Sequence, residues 1–440
     1  MDPMQQQEFA RRRRELMRMM GPDSIAIVPA ARERIRNRDS HYPFRQDSDF
    51  QYLTGFPEPE AVMVLVPGRE PAEHILFVRD RDPTLETWNG RRAGPEGAIR
   101  DYGADDAFPV SDIDDILPGL MERSERVFYT MGAYPDFDKR VIGWVNQLKA
   151  QYRTGMQSPQ EFVSLEHLLH DMRLYKSKAE VVAMRAAATV SVRAHVRAMG
   201  ACRPGMNEGE LEAEFLHEFR RHGGVPAYNP IVGGGENGCI LHYNDNNQPL
   251  KDGDLVLIDA ACELDCYASD ITRTFPVNGR YTEEQRAVYE VVLKAQLAAI
   301  DQARAGKHWN APHEEAVKVI TAGLVKLGLL KGSVPKLIKE QAYKAYYMHR
   351  TGHWLGLDVH DVGDYKVGDE WRELEPGMVL TVEPGIYIAP GTKGAPKRFQ
   401  GIGVRIEDDV LVTKGEPDVL TGALPKSVED VEACMRPLGV

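Results

Sequence analysis

The chain has 440 residues, of which 42% are apolar and 27% are charged, close to the averages of globular proteins. Its formal net charge of −12 argues against a nucleic-acid partner, because an acidic surface repels phosphate backbones. No apolar run approaches the length of a membrane helix, no signal peptide is recognisable, and the five cysteines include no CxxC pair. We therefore expect no membrane partner and a cytoplasmic location.

The N-terminal part of the chain is predicted to alternate between strands and helices. It opens on an amphipathic helix, in which the arginine run Arg11–Arg14 is expected to form the solvated face. A polar stretch at 152–159 suits a linker, so we place the boundary of an α/β domain near Leu174. Apolar runs within this domain predict strands at 24–29, 61–66, 74–78 and 126–129.

From residue 175 onward the pattern changes to longer helices and longer strands. Ser177, followed three residues later by Glu180, is typical of a helix N-cap. Helices are predicted within 179–222, 282–304 and 313–328. Strands are predicted at 255–260, 269–277, 378–388 and 403–412, which favours an α+β domain with an antiparallel sheet.

Each of these four strands carries an acid where an apolar residue is expected: Asp259, Asp270, Glu383 and Glu407. An unpaired charge in such a setting costs several kcal/mol, so a shared cation explains the acids better than four separate ion pairs. Their charge matches two divalent ions, and His353 adds one nitrogen ligand. A mostly oxygen set favours Mn²⁺, Mg²⁺ or Fe²⁺ and leaves Zn²⁺ and Co²⁺ open. Two such ions would ionise a water and polarise a carbonyl, which predicts hydrolysis.

Two other patterns are weaker. The spacing of Cys262 and Cys266 hints at metal, but incidental cysteines are the favoured interpretation. The run Gly233–Gly235 lacks the GK[ST] of a phosphate-binding loop, so a loop beside a substrate cleft is preferred.

Residues 349–361 hold three histidines and read HRTGHWLGLDVHD. This segment resembles the proline-peptidase signature along its whole length, and the order of the five predicted ligands resembles that of the pita-bread metallopeptidases. Arg350 departs from the pattern, at a place where a small residue is common, which affects the rim of the site rather than its chemistry. Within this family the chain is similar, nearly end to end, to the bacterial Xaa-Pro aminopeptidases, with shared segments at 42–50, 54–61, 236–243 and 270–276.

The resemblance implies the architecture and the metals. Residues 1–174 would form a creatinase-like α/β domain, and residues 175–440 a pita-bread α+β catalytic domain with a curved antiparallel sheet. Two divalent ions, with Mn²⁺ expected, would carry a bridging hydroxide that attacks the carbonyl before proline. Their ligands would be Asp259, Asp270, His353, Glu383 and Glu407.

Further roles follow from the same resemblance. Glu383 would also shuttle a proton, while His360 and His242 would steady the carbonyl oxygen. His349 would lie beside the proline pocket, and Tyr387 and Arg405 would support the site.

Trp88 in the first domain has two readings. The resemblance implies that it reaches the active site of a neighbouring subunit in a dimer or tetramer. On the sequence alone, a surface or core tryptophan of the small domain is an equal alternative.

The implied activity is cleavage between an N-terminal residue and a penultimate proline in Xaa-Pro-Yaa peptides. The alternative is a prolidase limited to Xaa-Pro dipeptides, with organophosphorus hydrolysis left open as a side activity. Such a limit needs a group that captures the C-terminal carboxylate, and the sequence does not reveal one. A non-catalytic binding module is disfavoured, because pita-bread proteins of that kind lack the ligand set that is present here.

Overall fold

The structure is a computed structural model that describes residues 3–435 and divides into two compact units between Arg173 and Leu174. Each unit has its own sheets and its own hydrophobic core. Within the described residues, no helix combines the length and the apolar character that a membrane crossing requires.

The N-terminal unit contains all four strands that were predicted for it, with ends that agree to within one residue. Its strands are β1 Ser24–Pro29, β2 Ile35–Asn37, β3 Ser40–His41, β4 Val62–Leu65, β5 His74–Val78, β6 Asp106–Pro109, β7 Arg126–Phe128 and β8 Glu161–Val163. Six of them form one mixed sheet in the order β6-β5-β4-β1-β7-β8, and β2 pairs with β3 in a separate hairpin. β1, β4 and β5 are buried along their whole length, which explains their continuous apolar runs.

In the part of the chain that the structure describes, seven α-helices accompany this sheet, among which α5 and α6 supply much of the buried core. They are α1 Pro3–Met20, α2 Ser48–Thr54, α3 Pro83–Asn89, α4 Gly94–Tyr102, α5 Ile113–Met121, α6 Pro135–Ala150 and α7 Glu166–Leu174.

The expectation that the arginine run on α1 is a solvated face is wrong for two of its members. Arg12 and Arg13 are only 3% and 5% exposed. Arg12 donates to the Tyr52 carbonyl at 3.0 Å, and Arg13 donates to the Leu53 carbonyl at 2.8 Å. Both carbonyls lie in the last turn of α2, where the helix itself offers no donor. The two guanidinium groups therefore cap a neighbouring helix from inside the fold.

The second unit has the predicted α+β character. Ser177 and Glu180 form a complete capping box at the start of its first helix, as predicted. The helices are α8 Lys178–Ala201, α9 Glu208–Arg221, α10 Glu283–Gln302, α11 Ala311–Lys326, α12 Val334–Lys339 and α13 Val428–Cys434.

The strands of this unit pair only antiparallel within the described residues. They are β9 Val225–Pro226, β10 Ile231–Gly234, β11 Leu255–Asp259, β12 Cys262–Leu264, β13 Tyr267–Ala268, β14 Thr272–Pro276, β15 Lys366–Val367, β16 Glu370–Trp371, β17 Val379–Val382, β18 Gly385–Ile388, β19 Ile402–Arg405, β20 Asp408–Leu411 and β21 Asp418–Val419. The main groups are β10-β11-β14, β17-β20-β21 and β18-β19.

Two strands that the sequence predicts as continuous are each interrupted at an acid. Glu383 and Pro384 separate β17 from β18, and Ile406 and Glu407 separate β19 from β20. Proline cannot donate to a strand ladder, which accounts for the first break. At the second break, the Glu407 amide bonds to the Thr272 carbonyl at 3.1 Å. The acids thus stand where strands change partners rather than inside an unbroken ladder.

Candidate metal centre

One cavity of about 680 Å³ in the second unit brings most of the predicted site residues together. Tyr387 lies behind the cavity wall, and Trp88 is not among the described residues that line it. Trp88 is instead on α3 of the N-terminal unit, with 81% of its surface exposed. The predicted residues that do line the cavity are Asp259, Asp270, His353, Glu383, Glu407, His242, His349, His360 and Arg405.

Asp270, His353 and Glu407 form the tightest group, with one ligand atom from each lying within 4.8 Å of the others. His353 Nε2 is 3.4 Å from Asp270 Oδ2 and 3.7 Å from Glu383 Oε1. The other ring nitrogen, Nδ1, donates to the Trp354 carbonyl at 2.9 Å. Because a carbonyl can only accept, Nδ1 carries a proton, so Nε2 is the nitrogen that faces the acids. Burial opposes a charge on this ring, but the hydrogen bond to Asp270 and the nearby Glu383 raise the pKa of His353 to about 9, so Nε2 would give up its proton when a cation binds there.

Asp259 and Asp270 are tied together by Tyr228, a residue that the sequence analysis missed. The Tyr228 hydroxyl lies 2.6 Å from Asp259 Oδ1 and 2.6 Å from Asp270 Oδ1. Arg405 Nη2 donates to the second Asp259 oxygen at 2.6 Å. Tyr228 lies in a short loop between β9 and β10 without any motif, so no local signal marks it.

The negative charge of the four clustered acids exceeds the positive charge of the side chains around them. Burial raises the pKa of Glu383 to about 7. It also raises the pKa of Glu407 well above its usual value, with Asp270 and Glu383 adding to the effect. Such shifts show that the charged form lacks sufficient stabilisation. Four carboxylates and one imidazole nitrogen are a donor set that two divalent cations would complete, so the residues present fit such ions.

A chain of hydrogen bonds holds one wall of the cavity. Arg405 Nη1 donates to the Tyr387 hydroxyl at 3.0 Å, and that hydroxyl lies 2.8 Å from His349 Nε2. His349 Nδ1 donates to the Arg350 carbonyl at 2.7 Å, so Nε2 accepts from Tyr387. Burial lowers the pKa of His349 to about 3, with Arg405 as the next cause. His349 is therefore a neutral ring in a fixed orientation.

Arg405 is also linked to Glu407, through the hydroxyl group of Thr272. Its Nε donates to Thr272 Oγ1 at 3.0 Å, and Thr272 Oγ1 donates to Glu407 Oε2 at 2.5 Å. Asp259, Tyr387 and Glu407 are thus positioned by one guanidinium group.

His360 and His242 stand at the open side of the cavity. The His360 ring lies edge-on to that of His353, with centroids 4.3 Å apart. Both His360 and His242 are exposed, in contrast to the buried Asp270 and Glu407. Their ring nitrogens can therefore meet a ligand that enters from solvent.

The signature segment fits against β17 only because residue 352 is glycine. A Cβ on Gly352 would collide with the Thr381 carbonyl oxygen. On either side of this contact, Thr381 donates its amide to the His353 carbonyl at 2.9 Å and its hydroxyl oxygen accepts the His353 amide at 3.1 Å. The close approach fixes the backbone that carries His353.

The sequence analysis also missed supporting residues that lie next to the predicted ligands. The Asp409 carboxylate accepts the Asp270 amide at 3.2 Å, and Asp409 lies only two residues after the predicted ligand Glu407. Trp309, Tyr365 and Trp371 form an aromatic wall of the cavity, and their spread along the chain gave no pattern to detect.

Comparison with known proteins gives a consistent result for both units. Residues 182–414 match the model of metallopeptidase family M24, and residues 9–129 match the aminopeptidase P N-terminal domain. The chain is 47% identical to the Xaa-Pro aminopeptidase of Escherichia coli over 99% of both chains.

Solved structures agree with this match. An aminopeptidase from Pseudomonas aeruginosa superposes with a TM-score of 0.97 at 62% identity, covering 98% of each chain. Zinc-substituted E. coli aminopeptidase P in complex with product gives a TM-score of 0.95 at 47% identity, again covering 98% of each chain. The fold class predicted from the sequence is confirmed.

Proposed function

The chain belongs to metallopeptidase family M24, and we propose that it releases the N-terminal residue from peptides whose second residue is proline. The convergence of Asp259, Asp270, His353, Glu383 and Glu407 on one cavity is the observation that carries this proposal. The likeness to Xaa-Pro aminopeptidases over nearly the whole chain supports the substrate class.

These five residues would hold two divalent cations, with Mn²⁺ as the expected metal. When bound, the two ions supply a hydroxide nucleophile near neutral pH and polarise the scissile carbonyl. The oxygen-rich donor set supports Mn²⁺ over softer metals. The mutually repelling carboxylates support a dinuclear rather than a mononuclear centre, because one divalent ion together with the Arg405 guanidinium would still leave negative charge unmatched among the four acids.

The residues of the chain divide the remaining work. Glu383 holds a proton at Oε2, the oxygen that lies 3.9 Å from His349, and passes it to the leaving proline nitrogen. His360 and His242 donate to the substrate carbonyl oxygen as its negative charge develops. The fixed, neutral ring of His349 supplies a flat wall for the proline ring, and Arg405 and Tyr387 keep that ring in place.

The direct test compares a longer peptide with a dipeptide after reconstitution with Mn²⁺. Release of alanine from Ala-Pro-Ala is expected, with slower cleavage of Ala-Pro. Cleavage of Ala-Pro alone would indicate a prolidase, and an organophosphorus ester assayed in parallel would show that side activity. Absence of peptide cleavage with metal bound would contradict the proposed substrate, whereas failure to bind metal would favour a non-catalytic module.

Replacing His360 with alanine is expected to preserve metal content and to lower kcat by about 10²–10³-fold. The reason is that a donor to the developing oxyanion is worth about that much, while His360 is not a proposed ligand. Metal analysis and steady-state kinetics check this, with the exposed His308→Ala as control. Loss of metal together with activity would instead make His360 a ligand.

We propose that the chain forms a homo-oligomer, a dimer or a tetramer, in which Trp88 contributes to the active site of another subunit. Trp88 is 81% exposed, so its side chain is accessible to another subunit, as the resemblance to Xaa-Pro aminopeptidases implies. Trp88→Ala is expected to raise KM several-fold at unchanged metal content, while Tyr152→Ala, an exposed aromatic control on the same unit, is expected to have no effect. A monomer in sedimentation, or an unaltered KM, would contradict this role.

The cytoplasmic location stays a prediction. Within residues 3–435, which include all five cysteines, each thiol is free, as a reducing compartment would require.

A further inference from the structure

A second cavity adjoins the metal centre and has an unusual charge. It encloses about 250 Å³ and shares His349 and Arg350 with the main cavity. Its lining also includes His313 and Lys344, and none of its eight lining residues is acidic. In a chain with a net charge of −12, such a concentration of basic groups requires an explanation.

The positive field of this cavity is visible at His313, a partly buried residue of its lining. Burial lowers the pKa of His313 to about 4, and Arg350 and Lys344 lower it further by repulsion. The ion pairs of the described residues include neither Arg350 nor Lys344. Both cations are therefore available to an external anion.

Arg350 is held at the boundary between the two cavities. Its guanidinium group lies 5.1 Å from the Trp371 ring centroid and donates to Asn310 Oδ1. Stacking on an aromatic ring orients the planar fork of donors without neutralising it. This placement offers a role for Arg350, which stands where the signature segment commonly has a small residue.

We propose that this cationic cavity binds the C-terminal carboxylate of a short peptide, with Arg350 and Lys344 donating to the two carboxylate oxygens. The proposal rests on the proposed function, because it takes the proline to lie against His349. In a tripeptide, the terminal carboxylate belongs to the residue after proline. Proline and that residue together span at most about 7 Å, so the carboxylate falls near the wall that both cavities share. The site would then favour tripeptides over longer peptides, whose terminal carboxylate lies beyond it.

The experiment measures binding at equilibrium, so that it does not depend on turnover. Calorimetry on the Mn²⁺-loaded protein compares Pro-Ala with its C-terminal amide, which differs only in the charged group. Wild-type protein is expected to bind the free dipeptide about tenfold more tightly, as suits a charge-assisted pair that is partly open to solvent. Arg350→Ala is expected to reduce this ratio to below about threefold, and Lys344→Ala to reduce it by a smaller factor.

The matched control is Arg398→Ala. Arg398 is also exposed and also lies 5.1 Å from an aromatic ring centroid, that of Phe399, but it lines neither cavity. This variant is expected to keep the wild-type ratio. Equal affinities for dipeptide and amide in the wild type, or an undiminished ratio in Arg350→Ala, would overturn the proposal.

Kinetics separate this proposal from the proposed function. If Ala-Pro-Ala and its amide are both left intact, the peptidase assignment fails while the binding ratio still decides the carboxylate site. If both are cleaved with the same kcat/KM, the peptidase assignment stands and the carboxylate site is rejected.

Discussion

Glu407→Gln is expected to abolish Mn²⁺ binding and peptide cleavage while making the metal-free protein more stable. Glu407 is 2% exposed and shares the cavity with three other carboxylates. Burial raises the pKa of Glu407 well above its usual value, so folding without metal must either protonate this group or bury its charge, and a neutral glutamine avoids that cost of about 1–3 kcal/mol. The glutamine still accepts the hydrogen bond from Thr272 Oγ1, which lies 2.5 Å from Glu407 Oε2, so packing is retained. The loss in activity should exceed the roughly 100-fold that changes outside the ligand shell cause.

Thermal unfolding with and without metal checks this prediction. In chelator, the midpoint of the variant should lie about 2–6 °C above that of the wild type. Saturating Mn²⁺ should raise the wild-type midpoint, as a ligand at 100 times its Kd adds about 2.7 kcal/mol, and should leave the variant unchanged. Glu416→Gln, an exposed glutamate of the same unit, serves as control. A variant that is still stabilised by Mn²⁺ would contradict the ligand assignment.

The sequence predicted the strand pattern well where burial is uniform. β1 and β5 were predicted with their observed bounds because an apolar run between turn residues has no other stable place. The buried Arg12 and Arg13 were missed because their partners, the carbonyls at the end of α2, lie 40 residues away. A run of arginines indicates a solvent-exposed helix face only when no backbone carbonyl from a distant part of the chain accepts hydrogen bonds from it.

The residues of the cavity were likewise predictable where a local pattern revealed them, and were missed where distant contacts decide their role. Its acids could be found because a carboxylate in an apolar strand conflicts with its surroundings. The break at Glu383 could have been found from Pro384, which cannot donate to a strand ladder. The break at Glu407 could not, since a hydrophobic pattern continues through it. Tyr228 was also hidden, because its role depends on two aspartates that the fold brings to its hydroxyl. A local sequence pattern can therefore identify a carboxylate in an apolar strand, but only the tertiary structure identifies the side chains that hydrogen-bond to it.

Arg273→Met is expected to destabilise the second unit by about 3–5 kcal/mol, the cost of leaving one member of a buried ion pair alone. Arg273 and Asp408 are both completely buried, and their charged groups lie 2.8 Å apart. Asp408 keeps Lys426 at 2.8 Å, which places the loss towards the lower limit. The thermal midpoint should fall by roughly 6–12 °C. Arg286→Met, which removes only exposed ion pairs, should cost under about 1 kcal/mol.

The same variant tests whether this buried pair also supports the metal centre. Arg273 Nη1 donates to the Glu407 carbonyl at 2.5 Å and to the Thr272 carbonyl at 3.0 Å, so it joins the segment that carries Glu407 to the strand that follows Asp270. Loss of these bonds should weaken Mn²⁺ binding by about 10–100-fold at a temperature where the variant remains folded. If the variant has a lower thermal midpoint but unchanged affinity for Mn²⁺, Arg273 contributes to stability and not to the metal centre. Weakened affinity in Arg273→Met but not in Arg286→Met would mean that the ligands are held in place from behind, through the backbone, as well as by the side chains that face the cavity.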